Sequence, residues 1–284
     1  MLSIYRILVG IVLGIVQGIS EWLPISSKTQ VLLASTYLMH ISFQQAYTFG
    51  LFMEIGTVIA AIIYFRNEVL SLLRVLIGRG SAAEKRLFIY VLVATVVTGL
   101  IGTPLYLIAD KITGVSVGIP MIILGLILIV DALIIAYSRG KSAAKANRRK
   151  FHDLKIKDYV LIGIAQGLAA LPGISRSGIT TSTMLLMDVE PDEAFRLSFL
   201  IGIFAAVAAF SLTLIVSHAN VSIVLTSLGA IGLVVAILTA TVISLFLIDF
   251  LIKTAGKSKI VYLIAALGII AIASGTIALF VGVG

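Results

Sequence analysis

The sequence predicts an all-α integral membrane protein with six transmembrane helices and two re-entrant helix–loop–helix hairpins, arranged as an inverted-topology repeat. Three observations support this prediction: the apolar composition, the uneven charge of the loops, and two polar breaks within apolar stretches. Sixty per cent of the 284 residues are hydrophobic, 12% are charged, and the mean hydropathy is +1.17. A soluble domain has about 25% charged residues, so the solvent of this chain is expected to be lipid. Residues 1–284 then form a single membrane domain.

Six apolar segments are long enough to cross a bilayer as helices, which takes about 20 residues. These segments are 47–65, 87–108, 115–137, 195–217, 222–249 and 260–282. Two other apolar regions are interrupted by polar islands that contain Pro, Gly and Ser, residues that break helices. The halves beside the islands are 4–20 and 31–40 in the first region, and 158–171 and 181–187 in the second. Because each half is too short to span, each pair is predicted to form a re-entrant hairpin.

The charge of the loops predicts the orientation of the segments. Lys and Arg are concentrated in three loops, 66–86, 139–157 and 250–259, and are nearly absent from two others, 109–114 and 217–221. Basic loops stay on the cytoplasmic side of a membrane, so the first hairpin should enter from outside and the second from the cytoplasm. The net charge of +8 therefore reports membrane topology, and no nucleic-acid partner is expected.

The two halves of the chain also resemble each other in sequence. Gly14-Ile-Val-Gln17-Gly18 recurs as Gly163-Ile-Ala-Gln166-Gly167, and a Phe-x-Leu-x-x-x-Ile-Gly pattern begins at both Phe49 and Phe195. With opposite orientations, two such halves form an inverted repeat of the kind found in secondary transporters. The predicted division is repeat 1 over about 1–138, a cytoplasmic basic linker over 139–157, and repeat 2 over about 158–284.

The two hairpin tips are the candidate site, because irregular backbone at membrane depth is tolerated only where it is buried in protein or lines a cavity. Each tip begins a half-helix, whose free N–H groups and positive dipole end favour an anion. The tips bring hydroxyls, amides and charges that suit a phosphate oxyanion: Glu21, Ser26, Ser27, Lys28, Gln30, Ser175, Arg176, Ser177 and Thr180. Gln17 lies one helical turn before Glu21, so the two could hold a divalent cation through oxygen ligands.

Structural roles remain open for several of these residues. Arg176 could pair with Glu21 or reach the membrane surface, although its place between two apolar stretches favours a functional role. Ser26 and Ser27 could be helix N-caps, with one of them capping while the other acts as a nucleophile. Lys28 could extend its ammonium group to the surface.

The remaining titratable residues are weaker candidates. Glu54, the other acid inside a predicted span, could assist the site or satisfy a polar partner, and Asp131 and Asp249 are expected to be structural. The chain has no cysteine, which excludes disulfides, thiolate metal sites and cysteine nucleophiles. Its histidines are unclustered, which argues against a histidine metal site; they are His40, His152 and His218.

At the two tips the sequence resembles the undecaprenyl-pyrophosphate phosphatase family, the bacitracin-resistance membrane phosphatases. The region from Gly14 to Ser27 looks like that family's glutamate-rich motif followed by Pro-x-Ser-Ser, here Pro24-Ile-Ser26-Ser27. The region from Leu171 to Thr180 is similar to its Pro-Gly-x-Ser-Arg-Ser-Gly-x-Thr motif almost letter for letter. The order of segments also fits, so the resemblance covers essentially the whole chain.

The resemblance implies hydrolysis of a polyprenyl (undecaprenyl) diphosphate to the monophosphate and inorganic phosphate, which recycles the lipid carrier of cell-envelope and peptidoglycan synthesis. It also implies a multi-pass protein of the plasma membrane with its site open to the external side. The implied cofactor is a divalent cation, Ca²⁺ or Mg²⁺, and the implied partner is the polyprenyl diphosphate lipid. A homodimer is one expected assembly.

Carried over by position, Glu21 would bind the metal or act as general base, Ser27 would be the nucleophile, and Arg176 would clamp the phosphate. Gln17 would be the second metal ligand. The phosphate pocket would contain Ser26, Lys28, Gln30, Ser175, Ser177 and Thr180.

Two residues depart from the family pattern, which commonly has glutamate at the position of Gln17 and histidine at the position of Gln30. Both are neutral amides here, so this chain lacks one charged metal ligand and one candidate acid–base group. A less active member, a differently tuned one, or one with a carrier other than undecaprenyl would each be consistent with these changes.

The alternative from another class is a transporter, either a lipid-phosphate flippase or an anion carrier, since broken helices that meet at the midplane also bind anionic substrates there. The Glu21 carboxylate beside Ser27, a potential nucleophile, favours a phosphatase over a transporter, because pure anion binding gains nothing from a carboxylate. A catalytically silent homologue is a third interpretation, supported by Gln17 and Gln30.

Overall fold

The computed structural model describes residues 2–23, 25–39, 43–111, 118–140, 148–171, 174–216, 218–255 and 260–281. Its helices are α1 (Leu2–Ser20), α2 (Ser27–Met39), α3 (Phe43–Tyr64), α4 (Arg66–Leu76), α5 (Ala82–Lys111), α6 (Gly118–Gly140), α7 (Ile156–Leu168), α8 (Arg176–Leu186), α9 (Pro191–Val216), α10 (His218–Ala255) and α11 (Ile260–Val281). Outside the described residues lie Pro24, His40, Pro172, Gly173 and residues 112–114 of the loop 109–114. The side chains of Asp131 and His218 also lie outside the described part.

Four helices of the described part are long and apolar enough to cross a membrane. They cover Ala82–Ile108, Pro191–Ser211, Leu228–Ala255 and Val261–Phe280. Shorter apolar helices cover Ile4–Ser20, Phe52–Tyr64 and Met121–Val130. The protein is therefore all-helical and of the multi-pass membrane class, and the predicted crossings at 47–65 and 115–137 stay predictions.

Each predicted hairpin contains two helices, α1 and α2 in the first and α7 and α8 in the second. The second helix of each begins earlier than predicted, at Ser27 and at Arg176, because the polar tip residues support helix initiation. Ser175 has an extended backbone and its hydroxyl accepts a hydrogen bond from the Gly178 N–H at 3.3 Å. This side-chain cap satisfies one of the free N–H groups of α8.

The predicted basic loop 66–86 contains a helix, α4, that the sequence analysis missed. Leu72 is buried while Leu70, Leu73 and Leu76 are exposed, and Glu68 and Arg74 complement the dipole at its two ends. An amphipathic helix with this pattern suits the membrane–water boundary.

Helix packing crosses between the two halves of the chain. The first hairpin places α1 on α10, the second places α7 on α5, and α6 packs on α11. Glycines permit the close approach: a Cβ on Gly14 would lie 2.5 Å from the Ala236 carbonyl oxygen, and a Cβ on Gly163 would lie 2.8 Å from that of Ala94. Gly14 and Gly163 occupy equivalent positions of the sequence repeat. Each hairpin therefore packs against the opposite half of the chain through the equivalent glycine.

The first hairpin tip is fixed to α9 by an aromatic contact. Trp22 is buried and packs edge-on against Phe199, with 4.9 Å between the ring centroids. Phe199 also packs edge-on against Phe195 in the same helix, at 5.7 Å. Since α9 follows the second hairpin, this contact brings the first tip to the second.

Candidate active site

The two hairpin tips contact each other through serine hydroxyls. Ser175 Oγ and Ser177 Oγ each donate a hydrogen bond of 3.2 Å to the Leu23 carbonyl oxygen, and Ser177 Oγ lies 3.1 Å from the Glu21 carbonyl oxygen. The two serines also lie 3.2 Å from each other. The tips therefore meet, as predicted, and polar groups of the second tip satisfy the irregular backbone of the first.

Glu21 is the centre of the hydrogen-bond network between the tips. Its Oε2 atom accepts hydrogen bonds from Ser27 Oγ at 2.6 Å and from Gln17 Nε2 at 2.9 Å, while Oε1 accepts one from the Arg176 guanidinium. Only 5% of Glu21 is exposed, and a buried carboxylate needs such partners to remain charged. The Ser27 hydroxyl and the Glu21 carboxylate have the spacing of a nucleophile and its general base.

Arg176 is held from two sides. Besides Glu21, its guanidinium donates to the carbonyl oxygen of Gly202 in α9. A Cβ on Gly202 would lie 3.2 Å from both Cζ and Nη1 of Arg176, so the glycine leaves room for the guanidinium. Because Arg176 opens α8, its charge and the free N–H groups of that helix point to the same region.

Ser26 has an unusual backbone conformation at the start of α2. Its φ angle is 55°, in the left-handed region that non-glycine residues rarely adopt. Ser26 is buried, and its carbonyl oxygen accepts a hydrogen bond of 3.2 Å from the Gln30 N–H. Such strain costs about 1–3 kcal/mol and tends to occur at functional sites; here it lies directly before Ser27.

A second ion pair lies close to the first. Lys28 Nζ is 3.6 Å from Glu54 Oε1, with 27% of the lysine side chain exposed and 4% of Glu54 exposed. The structure therefore gives Glu54 a polar partner and places Lys28 against an acid inside the protein.

The residues of both ion pairs line one cavity of about 400 Å³. The two hairpins and α3 contribute the charged and hydroxyl-bearing residues of its lining. These residues are Glu21, Ser26, Ser27, Lys28, Glu54, Ser175 and Arg176. The opposite wall comes from α5 and α9 and consists largely of small and hydroxyl-bearing residues, among them Thr95, Thr98, Gly99, Gly102, Ala205, Ala206 and Ala209. A polar end beside a wall of small residues suits an anionic head group joined to an apolar chain.

Four predicted site residues do not border this cavity. Gln30 Nε2 donates to the Ile25 carbonyl oxygen at 3.2 Å, and Thr180 Oγ1 lies 2.5 Å from Ser198 Oγ. Ser177 bonds to the backbone of the first tip, and Gln17 is buried behind Glu21. Their hydrogen bonds hold the tips in place, and their predicted contacts with a phosphate or a metal stay predictions.

Part of the cavity wall was not predicted from the sequence. Thr95, Thr98 and Gln166 border the cavity, and Gln166 Nε2 donates to Thr98 Oγ1 at 3.1 Å. Within the described residues, Gln166 Oε1 and Thr95 Oγ1 have no hydrogen-bond partner. The threonines recur three residues apart on one face of an apolar helix, a spacing that could have indicated them.

Next to the Glu21 carboxylate lies an amide oxygen of the type that binds hard divalent cations. Gln17 Oε1 is buried next to the Glu21 carboxylate and accepts no hydrogen bond in the part of the chain that the structure describes. Carboxylate and amide oxygens are the ligands that Ca²⁺ and Mg²⁺ take. Among the described residues there is no group of three or more His, Cys, Asp or Glu that could hold a metal, so hydroxyl and phosphate oxygens would complete the coordination.

Comparison with known proteins gives one consistent match. Residues 10–273 match the family described as "Bacitracin resistance protein BacA". The undecaprenyl-diphosphatase of Saccharolobus solfataricus is 49% identical over 270 residues, 95% of each chain. That of Sulfurisphaera tokodaii is 48% identical over 92% of this chain and 94% of its own. The undecaprenyl-diphosphatase of Pyrobaculum aerophilum is 40% identical over 94% of this chain and 96% of its own.

Proposed function

Because the chain belongs to the bacitracin resistance protein BacA family, we propose that it hydrolyses undecaprenyl diphosphate to undecaprenyl phosphate and inorganic phosphate. Relatives that span more than nine-tenths of both chains carry the name undecaprenyl-diphosphatase. The observation that carries the proposal here is the Ser27 Oγ–Glu21 Oε2 hydrogen bond of 2.6 Å beside Arg176. An anion carrier would gain nothing from this pair, so hydrolysis is favoured over transport.

In the proposed reaction, Ser27 Oγ attacks the terminal phosphorus while Glu21 takes the hydroxyl proton. The bond between that phosphorus and the bridging oxygen breaks, and the prenyl monophosphate leaves. The protonated Glu21 gives its proton to the leaving phosphate oxygen, which restores the carboxylate. Water then attacks the phosphoserine while Glu21 accepts a proton from it, and Glu21 returns that proton to Ser27 Oγ as the bond between phosphorus and the serine oxygen breaks and inorganic phosphate is released. A water molecule activated by Glu21 in place of Ser27 would give the same products in one step.

Arg176 would stabilise the charge that develops on the transferred phosphoryl group. Its guanidinium presents paired N–H donors that match phosphate oxygens, and the N–H groups at the start of α8 add to the same field. Electrostatic stabilisation is the main protein contribution to phosphoryl transfer. Ser26, Lys28 and Ser175 border the same cavity and would bind the remaining phosphate oxygens.

A divalent cation, Ca²⁺ or Mg²⁺, is part of the proposal. Glu21 and Gln17 would hold it, and it would neutralise charge on the diphosphate oxygens. The buried Gln17 Oε1 without a hydrogen-bond partner in the described part supports this assignment.

The proposed architecture keeps the inverted repeat, with six crossings, two re-entrant hairpins and a site open to the external face of the plasma membrane. The reciprocal packing of α1 on α10 and of α7 on α5 supports it. So do the matched glycines Gly14 and Gly163 at those contacts. The prenyl chain would extend from the cavity between helices into lipid.

Phosphate release by the purified protein tests this function. In detergent, wild type with Mg²⁺ or Ca²⁺ should release phosphate from undecaprenyl diphosphate, lose the activity in chelator, and regain it when the cation is restored. Ser27→Ala should be strongly impaired, whereas Lys253→Met on the α10 surface should match wild type. No release from wild type with any divalent cation would contradict the proposal.

A further inference from the structure

The cavity contains two carboxylates and two cations, arranged as two pairs. Arg176 pairs with Glu21, and Lys28 pairs with Glu54 at 3.6 Å. The formal charges of the four cavity-lining groups cancel. A site for a single phosphate needs only one such cation, so the second pair requires its own explanation.

Both cations occupy the first turn of a half-helix. Arg176 is the first residue of α8, and Lys28 is the second residue of α2. Cations are disfavoured at a helix N-terminus and anions are favoured there, so a nearby anion stabilises each of these positions. Glu21 and Glu54 are those anions in the structure, and each is buried. Each tip therefore combines a helix N-terminus with a cation, two features that both favour an anion.

We propose that Lys28 recognises the second, prenyl-linked phosphate of the substrate and that Glu54 positions it for this task. This inference rests on the proposed function. Arg176 holds the terminal phosphate next to Ser27, and Lys28, the next residue along α2, holds the inner one. The pair thereby makes the site selective for a diphosphate over a monophosphate, including the enzyme's own two products.

Glu54 acts through Lys28. The Lys28 ammonium group is a compact charge with three N–H donors, and its ion pair with Glu54 at 3.6 Å keeps it at the cavity wall. A free lysine side chain loses substantial rotamer entropy when it is fixed, and the buried carboxylate of α3 removes much of that cost before the substrate binds. Glu54 therefore orients the ammonium group towards the cavity without touching the substrate.

Binding of two inorganic anions tests the proposal independently of turnover. The affinities of purified wild type, Lys28→Met and Glu54→Gln for pyrophosphate and for orthophosphate are measured by calorimetry at a fixed free Mg²⁺ concentration. Lys28→Met should weaken pyrophosphate binding about tenfold, which corresponds to about 1.4 kcal/mol. Orthophosphate binding should change less than about threefold, because it needs only the Arg176 side. Lys28→Arg should retain most of the preference for pyrophosphate.

Kinetics and a double variant test the positioning role. With undecaprenyl diphosphate, Lys28→Met should raise KM about tenfold and change kcat less than about threefold. Glu54→Gln should raise KM by a smaller factor and have no further effect in the Lys28→Met background, since it acts through Lys28. Lys253→Met, which removes the surface pair with Asp249, is the matched control, and melting temperatures verify folding. If Lys28→Met does not fold, Lys28→Gln takes its place.

Three results would overturn the inference. Equal weakening of both anions would show that Lys28 does not distinguish the second phosphate. A loss of kcat at constant KM would place Lys28 in the chemical step. Additive losses in the double variant would mean that Glu54 does not act through Lys28. The proposed function has a separate test. If wild type binds pyrophosphate more tightly than orthophosphate but releases no phosphate from undecaprenyl diphosphate, the proposed function is overturned and the role of Lys28 in binding is not.

Discussion

Ser27 Oγ donates a hydrogen bond of 2.6 Å to Oε2 of Glu21, six residues earlier in the chain. The contact spans the turn between α1 and α2, where Ser26 adopts its left-handed conformation. The same carboxylate is held by Gln17 and by Arg176 of the other hairpin. The fold thus uses both halves of the chain to orient one acid towards one hydroxyl.

Removal of either partner should abolish most of the activity. General base and nucleophile contributions are typically about 10²- to 10⁴-fold, so Ser27→Ala and Glu21→Gln should each lower kcat by about that factor. The double variant should be little worse than either single variant, because the two residues act as one unit.

Phosphate release over a range of substrate concentrations checks this expectation. The control is Ser20→Ala, a buried serine of the same hairpin whose hydroxyl bonds to the Val16 carbonyl oxygen; it should keep activity within about twofold, as expected for a residue outside the site. A near-normal kcat in Ser27→Ala would contradict the role of Ser27 as nucleophile. The nucleophile would then be a water molecule activated by Glu21.

Arg176→Lys should weaken both substrate binding and stability. The planar guanidinium bonds to Glu21 and to the Gly202 carbonyl oxygen, and a lysine lacks this fixed fork. KM for the diphosphate should rise about tenfold or more, the effect of about 1.4 kcal/mol of lost binding.

Arg176→Ala should also unfold more easily, because it leaves Glu21 buried without its cation, a change that typically costs about 3–5 kcal/mol. Thermal unfolding in detergent measures this. The surface pair of Arg196 and Glu68 provides the comparison: Arg196→Ala should cost no more than about 1 kcal/mol. Equal losses in the two alanine variants would contradict a special role for the buried pair.

Gly202→Ala should impair activity through Arg176. The added Cβ would lie 3.2 Å from the guanidinium Cζ and Nη1 atoms, so the guanidinium must move away from its place between Glu21 and α9. We expect kcat/KM to fall about tenfold, since small displacements at a catalytic group are costly. Val207→Ala, at an exposed position of the same helix, should leave kcat/KM unchanged. A normal kcat/KM in Gly202→Ala would show that Arg176 tolerates displacement.

The sequence predicted the helices better than the contacts between them. The long apolar runs, such as 260–282 against α11 (Ile260–Val281), determine helices almost without reference to the rest of the chain. The tip helices begin earlier than predicted, because serines and other polar residues that indicate a loop in sequence also cap and start helices. Helix α4 was missed because its charges outweighed its apolar stripe.

Within the site, the roles that depend on local spacing were easier to predict than those that depend on packing. Gln17, Glu21 and Ser27 lie within one hairpin, and their proximity follows from the chain itself. The pairing of Lys28 with Glu54 depends on how α2 packs on α3, which no local pattern encodes. Thr98 was missed because a threonine in an apolar helix usually bonds to the carbonyl four residues earlier, and Thr98 does so at 2.7 Å to Ala94.

The absence of cysteine from the chain allows a direct test of the proposed topology with single-cysteine variants. Gly114→Cys and Ser217→Cys lie in the loops predicted to be external, and Ser81→Cys and Lys150→Cys in those predicted to be cytoplasmic. With an impermeant maleimide on intact cells, the first two should be labelled at once and the other two only after permeabilisation. Residues 114 and 150 flank α6, so labelling of both from the same side would mean that α6 does not cross the membrane. The inverted repeat would then be excluded, because repeat 1 would lack its last crossing.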